Sequence, residues 1–306
     1  ERRWCYPVKN NPVYKREMAV RARSFRIPLL LMVFNGILAA AALLNMYSSV
    51  VQVKVSNRVH YESFLQLYAF VATLEFLLLM FIMPALTSGG ISGERERHTL
   101  DLMSTTRLTA ADIVLGKLAS ALSQLLVMAF SSFPILLLTF VYGSMGFEEL
   151  ILLMICYVTA ALFCGSLGIF ASAFMKRSTF SNVFTYGTLL VLVAGTYLLK
   201  QFLLGVSEME VNSMVIQAGE SRPVPNSGWA VYLLLLNPVS MFAELLEQQI
   251  AGGGGQFAVQ YFLGAESGNF VTEHWIWVSA AIQLIFSAGF VRGAIWFLEP
   301  IKKKRT

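Results

Sequence analysis

Six runs of about 20 or more mostly apolar residues constrain this chain more than any other feature. They lie at roughly 27–47, 64–86, 118–141, 150–174, 180–204 and 274–298. An α-helix crossing the hydrocarbon core of a bilayer needs about 20 such residues. Charged residues make up 13% of the chain, half of the about 25% usual in a soluble domain. That scarcity, with apolar residues gathered into runs, excludes an ordinary soluble fold. The alternating polarity of a membrane β-barrel is absent, and an aromatic content of 13% excludes disorder. The expected fold is all-α: a polytopic membrane protein with six transmembrane helices in a single transmembrane domain, 1–306.

The basic residues give the orientation. Lys and Arg concentrate in the loops on the cytoplasmic side of a membrane protein. Nineteen lie before the first run, between the second and third, after the fourth, and at the end of the sixth and beyond. Only Lys54, Arg58, Lys200 and Arg222 fall on the other side. Six spans with both termini in the cytoplasm satisfy this partition, and a plasma-membrane location is expected. The pI near 9.1 therefore reflects membrane sidedness, and no nucleic-acid partner is expected.

A seventh run, 229–246, reads WAVYLLLLNPVSMFAELL. Asn237 and Pro238 interrupt it, and Glu244 and Glu247 follow. Counting it as a span would place the basic tail 302–305 outside. It is read instead as a pair of short outer re-entrant helices, within an outer loop 205–273. Irregular backbone at that depth must be covered by protein. That loop is acidic and has a flexible glycine joint at 252–255. Residues 1–26 lack the apolar core of a cleavable signal peptide. The chain opens on Glu1 rather than Met, so residues upstream of it are to be expected.

Two segments outside the spans carry pattern. In 12–25, Tyr14, Met18, Ala22 and Phe25 repeat at helical spacing with Lys15, Arg16, Arg21 and Arg23 on the other faces. A basic amphipathic elbow helix lying in the interface is expected there. The segment 94–106 starts with Glu94, Arg95, Glu96 and Arg97 and then offers Leu100 and Met103 as a small apolar edge. It reads as a short cytoplasmic helix suited to docking on a soluble partner, or as an ordinary solvated loop.

Within the spans, Glu75 stands near the middle of the second. An ionisable group at that depth is costly, and marks either a transport pathway or an interhelical hydrogen bond. Asn35 and Asn45 in the first span are weaker candidates for the same roles. Ala160, Cys164, Gly168 and Ser172 form a small-residue stripe on the fourth span, which favours close helix packing over a pore lining. Three scattered histidines and Cys5, Cys156 and Cys164 give no metal or disulfide pattern. No G-x-x-x-x-G-K-[ST] phosphate loop occurs, nor H-E-x-x-H or G-x-S-x-G. No enzyme activity is expected of the chain alone, and no cofactor on it.

The stretch 91–106, ISGERERHTLDLMSTT, resembles the segment after the second span of ABC-2 type transporter permeases, which commonly reads GEREXGTLELLLSTPLS. Here His98 stands in place of Gly, Met103 in place of Leu and Arg107 in place of Pro. The N-terminal NPVYKRE, 11–17, is similar to the NPVxxKE opening of such permeases. The resemblance covers the six-span plan over nearly the whole chain. It implies the membrane half of an ABC exporter, working with two separate ATP-binding subunits that carry ATP and Mg, and with a second permease subunit, identical or homologous. It also implies that the elbow, through Tyr14 and Met18, and the coupling segment, through Glu94, Arg95, Arg97, Leu100 and Met103, contact those ATPase subunits.

Overall fold

The computed structural model describes residues 11–56, 62–100, 108–143, 146–213, 223, 225–250 and 270–303. These are 89% helical and contain no strand, which establishes the all-α class. Among the described residues, six helices are long and apolar enough to cross a membrane. The described chain forms two compact units, one running to Thr185 and resuming at Phe286, the other covering Tyr186–Ile285.

The first unit opens with α1 (Pro12–Ala22), α2 (Arg26–Ser56), α3 (Glu62–Thr87) and the short α4 (Ser92–Glu96). It continues with α5 (Ala110–Gly143), α6 (Phe147–Phe174) and the first part of α7 (Ser178–Leu190). α3 packs on both α5 and α6, and α5 on α6, while α1 lies on α5. This trio holds the buried core, with Phe76, Met83, Leu125, Met128, Leu153 and Phe163 almost wholly enclosed. α2, by contrast, leaves Met32, Leu43 and Leu44 exposed, the surface expected of a helix against lipid.

Close approach of α6 to α3 depends on the small-residue stripe. Ala160, Cys164, Gly168 and Ser172 are all buried, and a Cβ on Gly168 would fall 2.2 Å from Thr87 Oγ1. The stripe therefore serves packing. The final helix, α12 (Trp275–Lys303), returns beyond Phe286 to lay Phe290 and Phe297 against Phe163, Phe170 and Phe174 of α6.

In the second unit, α7 ends in a π-helical turn, Val191–Gly195, and continues as α8 (Thr196–Ser213). The fifth span thus extends to Ser213, beyond the apolar run 180–204 that announced it. Next come α9 (Ala230–Leu233), a 3-10 turn (Leu234–Leu236), α10 (Pro238–Ile250) and α11 (Phe270–Glu273). Val231, Leu234, Leu235 and Trp275 form this unit's apolar core. The limbs Ala230–Leu236 and Pro238–Ile250 meet at 95°. At about 1.5 Å per residue they are roughly 10 and 20 Å long, so neither alone covers a hydrocarbon core of about 30 Å. That geometry fits the re-entrant pair.

Asn237 and Pro238 form the bend between these limbs. Asn237 Oδ1 accepts from the Val239 amide at 2.9 Å and so caps α10, with Pro238 as its first residue. The carbonyl of Leu235 at the bend accepts from Ser279 Oγ at 2.7 Å, and the Ser240 hydroxyl lies against Leu234 O. Irregular backbone is thus satisfied by neighbouring side chains. Glu244, also assigned to these helices, is buried with Oε1 unpartnered. The glycine joint 252–255 lies outside the described residues.

Candidate functional site

At one end of the first unit, segments far apart in sequence meet around a short turn. Asn11 and Pro12 begin this junction. Asn11 Oδ1 accepts from Val13 N at 2.9 Å, and its Nδ2 donates to Asp112 O at 2.6 Å. An Asn N-cap followed by proline is a strong helix start. Here it also ties α1 to the first turn of α5. Gly116 permits the contact, since a Cβ there would sit 3.0 Å from Val13 Cβ. Thr109 and Asp112 cap α5 reciprocally: Thr109 N donates to Asp112 Oδ2 at 2.9 Å and Asp112 N to Thr109 Oγ1 at 3.1 Å.

α1 was expected to run over 12–25 and to carry Tyr14, Met18, Ala22 and Phe25 on one face, as an amphipathic helix in the interface. The helix ends at Ala22, and Phe25 is 79% exposed in the turn that follows. Burial falls instead on Val13. The Tyr14 hydroxyl lies 3.1 Å from Ser123 Oγ, whose own proton goes to Ala119 O at 2.8 Å, so Tyr14 is the donor. Met18 is half-buried.

The turn after α3 is held from the side by α6. Ser172 Oγ accepts from Ile91 N at 2.8 Å and Ser92 N at 2.9 Å, serving two amides at the start of α4. Arg95 donates to Met175 O and Ala173 O, each at 3.1 Å, so its guanidinium caps the C-terminal end of α6. Glu96 accepts from Ser178 N at 3.0 Å and Ser178 Oγ at 2.7 Å at the start of α7. At the centre stands Lys117 of α5, 6% exposed. It donates to Glu17 Oε1 at 2.9 Å and to Glu94 Oε1 at 2.8 Å. One ammonium thus fastens α1, α4 and α5 together. A cleft of about 480 Å3 opens beside it, lined by Gly90, Gly93, Glu94, Arg97 and Lys117 among others.

These contacts bring together three of the basic segments that the charge count assigned to one side of the membrane. They also change the roles of single residues. Arg95 and Glu94 are engaged within the chain, and Leu100 is 4% exposed rather than forming an open edge. Met103 lies outside the described residues. Glu96, Arg97 and His98, with Lys176 and Arg177, are exposed. Asn11, Glu17, Lys117 and Ser172 escaped the search for site residues. Each carried some signal: Asn11 and Glu17 through the motif at the N-terminus, Ser172 through the small-residue stripe, and Lys117 as a basic residue at a span end.

His98 has φ +57°, the left-handed region that favours glycine. It follows the last turn of α4, with its amide donating to Arg95 O at 3.1 Å, while Thr99 Oγ1 donates to Glu94 O at 3.2 Å. This is a left-handed helix stop, at the position where the resembling segment carries Gly. His98→Gly is therefore expected to stabilise the protein by about 1 kcal/mol. A rise of a few degrees in thermal unfolding of the detergent-solubilised protein would show it.

Glu75 lies deep in the α3, α5 and α6 core with no exposed surface. The Ser132 hydroxyl donates to its Oε1, and Oε2 is unpartnered. Asn35 similarly donates to Ser131 Oγ at 2.9 Å, joining α2 to α5, and to Leu31 O at 3.0 Å. The Asn45 side chain lies outside the described residues. Both described candidates thus hydrogen-bond across to α5. Glu75→Gln is expected to be nearly neutral because it keeps the acceptor for Ser132. Glu75→Leu should lower stability by about 0.6–2 kcal/mol, the range for hydrogen bonds within membranes. Thermal unfolding of the two variants in detergent checks this.

No curated protein matches the chain. Residues 12–299 match the family described as ABC-2 family transporter protein. The match spans α1, the residues around Lys117, the six long helices and the bend at Asn237. The chain is a multi-pass membrane protein that belongs to the ABC-2 transporter family.

Proposed function

We propose that this chain is the membrane-spanning subunit of an ATP-driven exporter that moves an amphipathic or hydrophobic substrate (a peptide, lipid or drug) out of the cell. Two separate ATP-binding subunits hold ATP and Mg, and a second permease subunit, identical or homologous, completes the complex in the plasma membrane. Both termini are cytoplasmic. Permeases of this family generally work with ATP-binding subunits, and no phosphate loop occurs in this sequence. Energy therefore arrives by contact.

The observation that carries this reading is the Lys117 junction. It makes one mechanical body of the elbow, the turn after α3 and the start of α5. A push on that body reaches α3 and α5, two of the three core helices. Among the sequence candidates, Arg97 remains exposed for the ATPase contact, and Arg177 joins it. Glu94, Arg95 and Leu100 shape the surface from within.

Purification in mild detergent tests the reading. An ATPase should accompany the wild type, and Arg97→Glu with Arg177→Glu should weaken its retention by about tenfold or more through like-charge repulsion. Thermal stability of the membrane subunit should stay unchanged, because both side chains are exposed. Equal retention of the ATPase by the variant and the wild type would remove these residues from the contact. Purification with no ATPase at all would overturn the exporter reading.

A further inference from the structure

Asn237 does more than cap α10. Its Nδ2 donates to Val193 O at 3.1 Å and to Thr196 Oγ1 at 3.0 Å, at the π-helical turn in the fifth span. Thr196 Oγ1 in turn donates to Leu192 O at 2.7 Å. A π turn holds one more residue than the α turn it replaces and disturbs the ladder of backbone bonds, so its carbonyls are open to outside donors. It persists where surrounding contacts favour it. Here the contact comes from the apex of the 95° bend, and Asn237 is 2% exposed. One side chain therefore caps the re-entrant helix with its oxygen and holds the π turn with its nitrogen.

The geometry points to Asn237 as a positioning residue that fixes the rotational register of α8. With both donations made, the turn keeps its extra residue. When they are lost, the turn relaxes to α-helix. Relative to the segment before the turn, α8 then rotates by about 100° and advances by about 1.5 Å, the increments of one helical residue. Each α8 position takes up the surroundings now held by the next residue. Leu204, 4% exposed, moves to the half-exposed place of Gly205, and Val211 to the exposed place of Asn212. Movement of the re-entrant bend and rotation of the outer part of the fifth span are coupled through this one amide.

Spin labels placed singly along 199–212, in full-length protein with Cys5, Cys156 and Cys164 replaced by Ala, read the register as a pattern of oxygen and water accessibility. Asn237→Asp keeps an N-cap acceptor for α10 but cannot donate. Its accessibility pattern should shift by one residue. Thr196→Val, which removes the hydroxyl acceptor, should shift it in the same direction, while Thr196→Ser should leave it in place. Deletion of Ala194 absorbs the extra residue, so in the Asn237→Asp background it should restore the wild-type pattern. A purely structural Asn237 would lose stability with the pattern unmoved, and that result overturns the assignment. A shift that the deletion does not reverse also overturns it, as does an Asn237→Asp protein that fails to insert and is not rescued by the deletion.

Discussion

Gly168→Leu is expected to drive α6 away from α3 and to lower stability by more than about 3 kcal/mol. The reason is the kind of atom in the way. A Cβ on Gly168 would meet Thr87 Oγ1 at 2.2 Å, Thr87 Cβ at 3.1 Å and the backbone nitrogen of Ser88 at 3.2 Å. Thr87 cannot swing aside freely. Its hydroxyl donates to Met83 O at 2.9 Å, and its branched Cβ restricts the rotamer. Ser88 N is fixed by its bond to Pro84 O at 2.8 Å. Overpacking of this sort costs about 1–3 kcal/mol and sometimes more. Gly168→Ala should be milder, about 1–2 kcal/mol, since gaining a better helix former returns about 1 kcal/mol. Gly165 provides the contrast. Its Cβ would meet Met83 Cε at 2.3 Å, but that methyl is the far end of a flexible chain. Gly165→Ala should cost less than about 1 kcal/mol. The buried thiol of Cys164, at the same contact, supplies the readout: its labelling on heating should come earliest in Gly168→Leu and near the wild-type temperature in Gly165→Ala. Equal behaviour of the two alanine variants would mean that Gly168 has no special role in the contact.

That stripe was legible because small residues every fourth position on a long apolar helix have few other uses. The six spans were legible for a similar reason, since uninterrupted apolar length has one common physical meaning. Other features carried no such signal. α5 begins at Ala110, eight residues before the apolar run 118–141, because its first turns bury Asp112 and Lys117 with polar partners that hydropathy counts as loop. Leu100 looked like a docking edge because a short apolar edge reads the same whether it faces its own chain or another. Arg95 looked like one member of a solvated charge run; the carbonyls it caps are about 80 residues away in sequence. The turn Val191–Gly195 lies in an apolar stretch whose composition suits α and π turns alike. Tyr14, Met18 and Phe25 fit a helical wheel, but the wheel ran past the point at which the helix stops.

Lys117→Met is the change expected to damage the junction most. The substitution retains much of the aliphatic stem but removes the ammonium, leaving Glu17 and Glu94 facing each other without their shared cation. Removing one partner of a buried ion pair costs about 3–5 kcal/mol. The two carboxylates are 23% and 18% exposed, so water recovers part of that cost and about 2–4 kcal/mol is expected. Glu17→Gln should cost about 1 kcal/mol or less, because Lys117 keeps Glu94 and the new amide oxygen still accepts. The triple variant Lys117→Met, Glu17→Gln, Glu94→Gln removes every charge at once. It should recover stability relative to Lys117→Met alone, since much of the single variant's loss comes from uncompensated carboxylates rather than from missing attraction. Thermal unfolding in detergent ranks the three, and added salt sharpens the comparison: screening should raise Lys117→Met more than the triple variant. If the triple variant is no more stable than Lys117→Met, Lys117 acts there mainly through the packing of its stem. ATPase stimulation separates stability from transmission. Without the ammonium that links α1, α4 and α5, Lys117→Met should retain an ATPase through the exposed Arg97 and Arg177 yet stimulate it less, whereas a junction that is only structural would leave stimulation per bound complex unchanged.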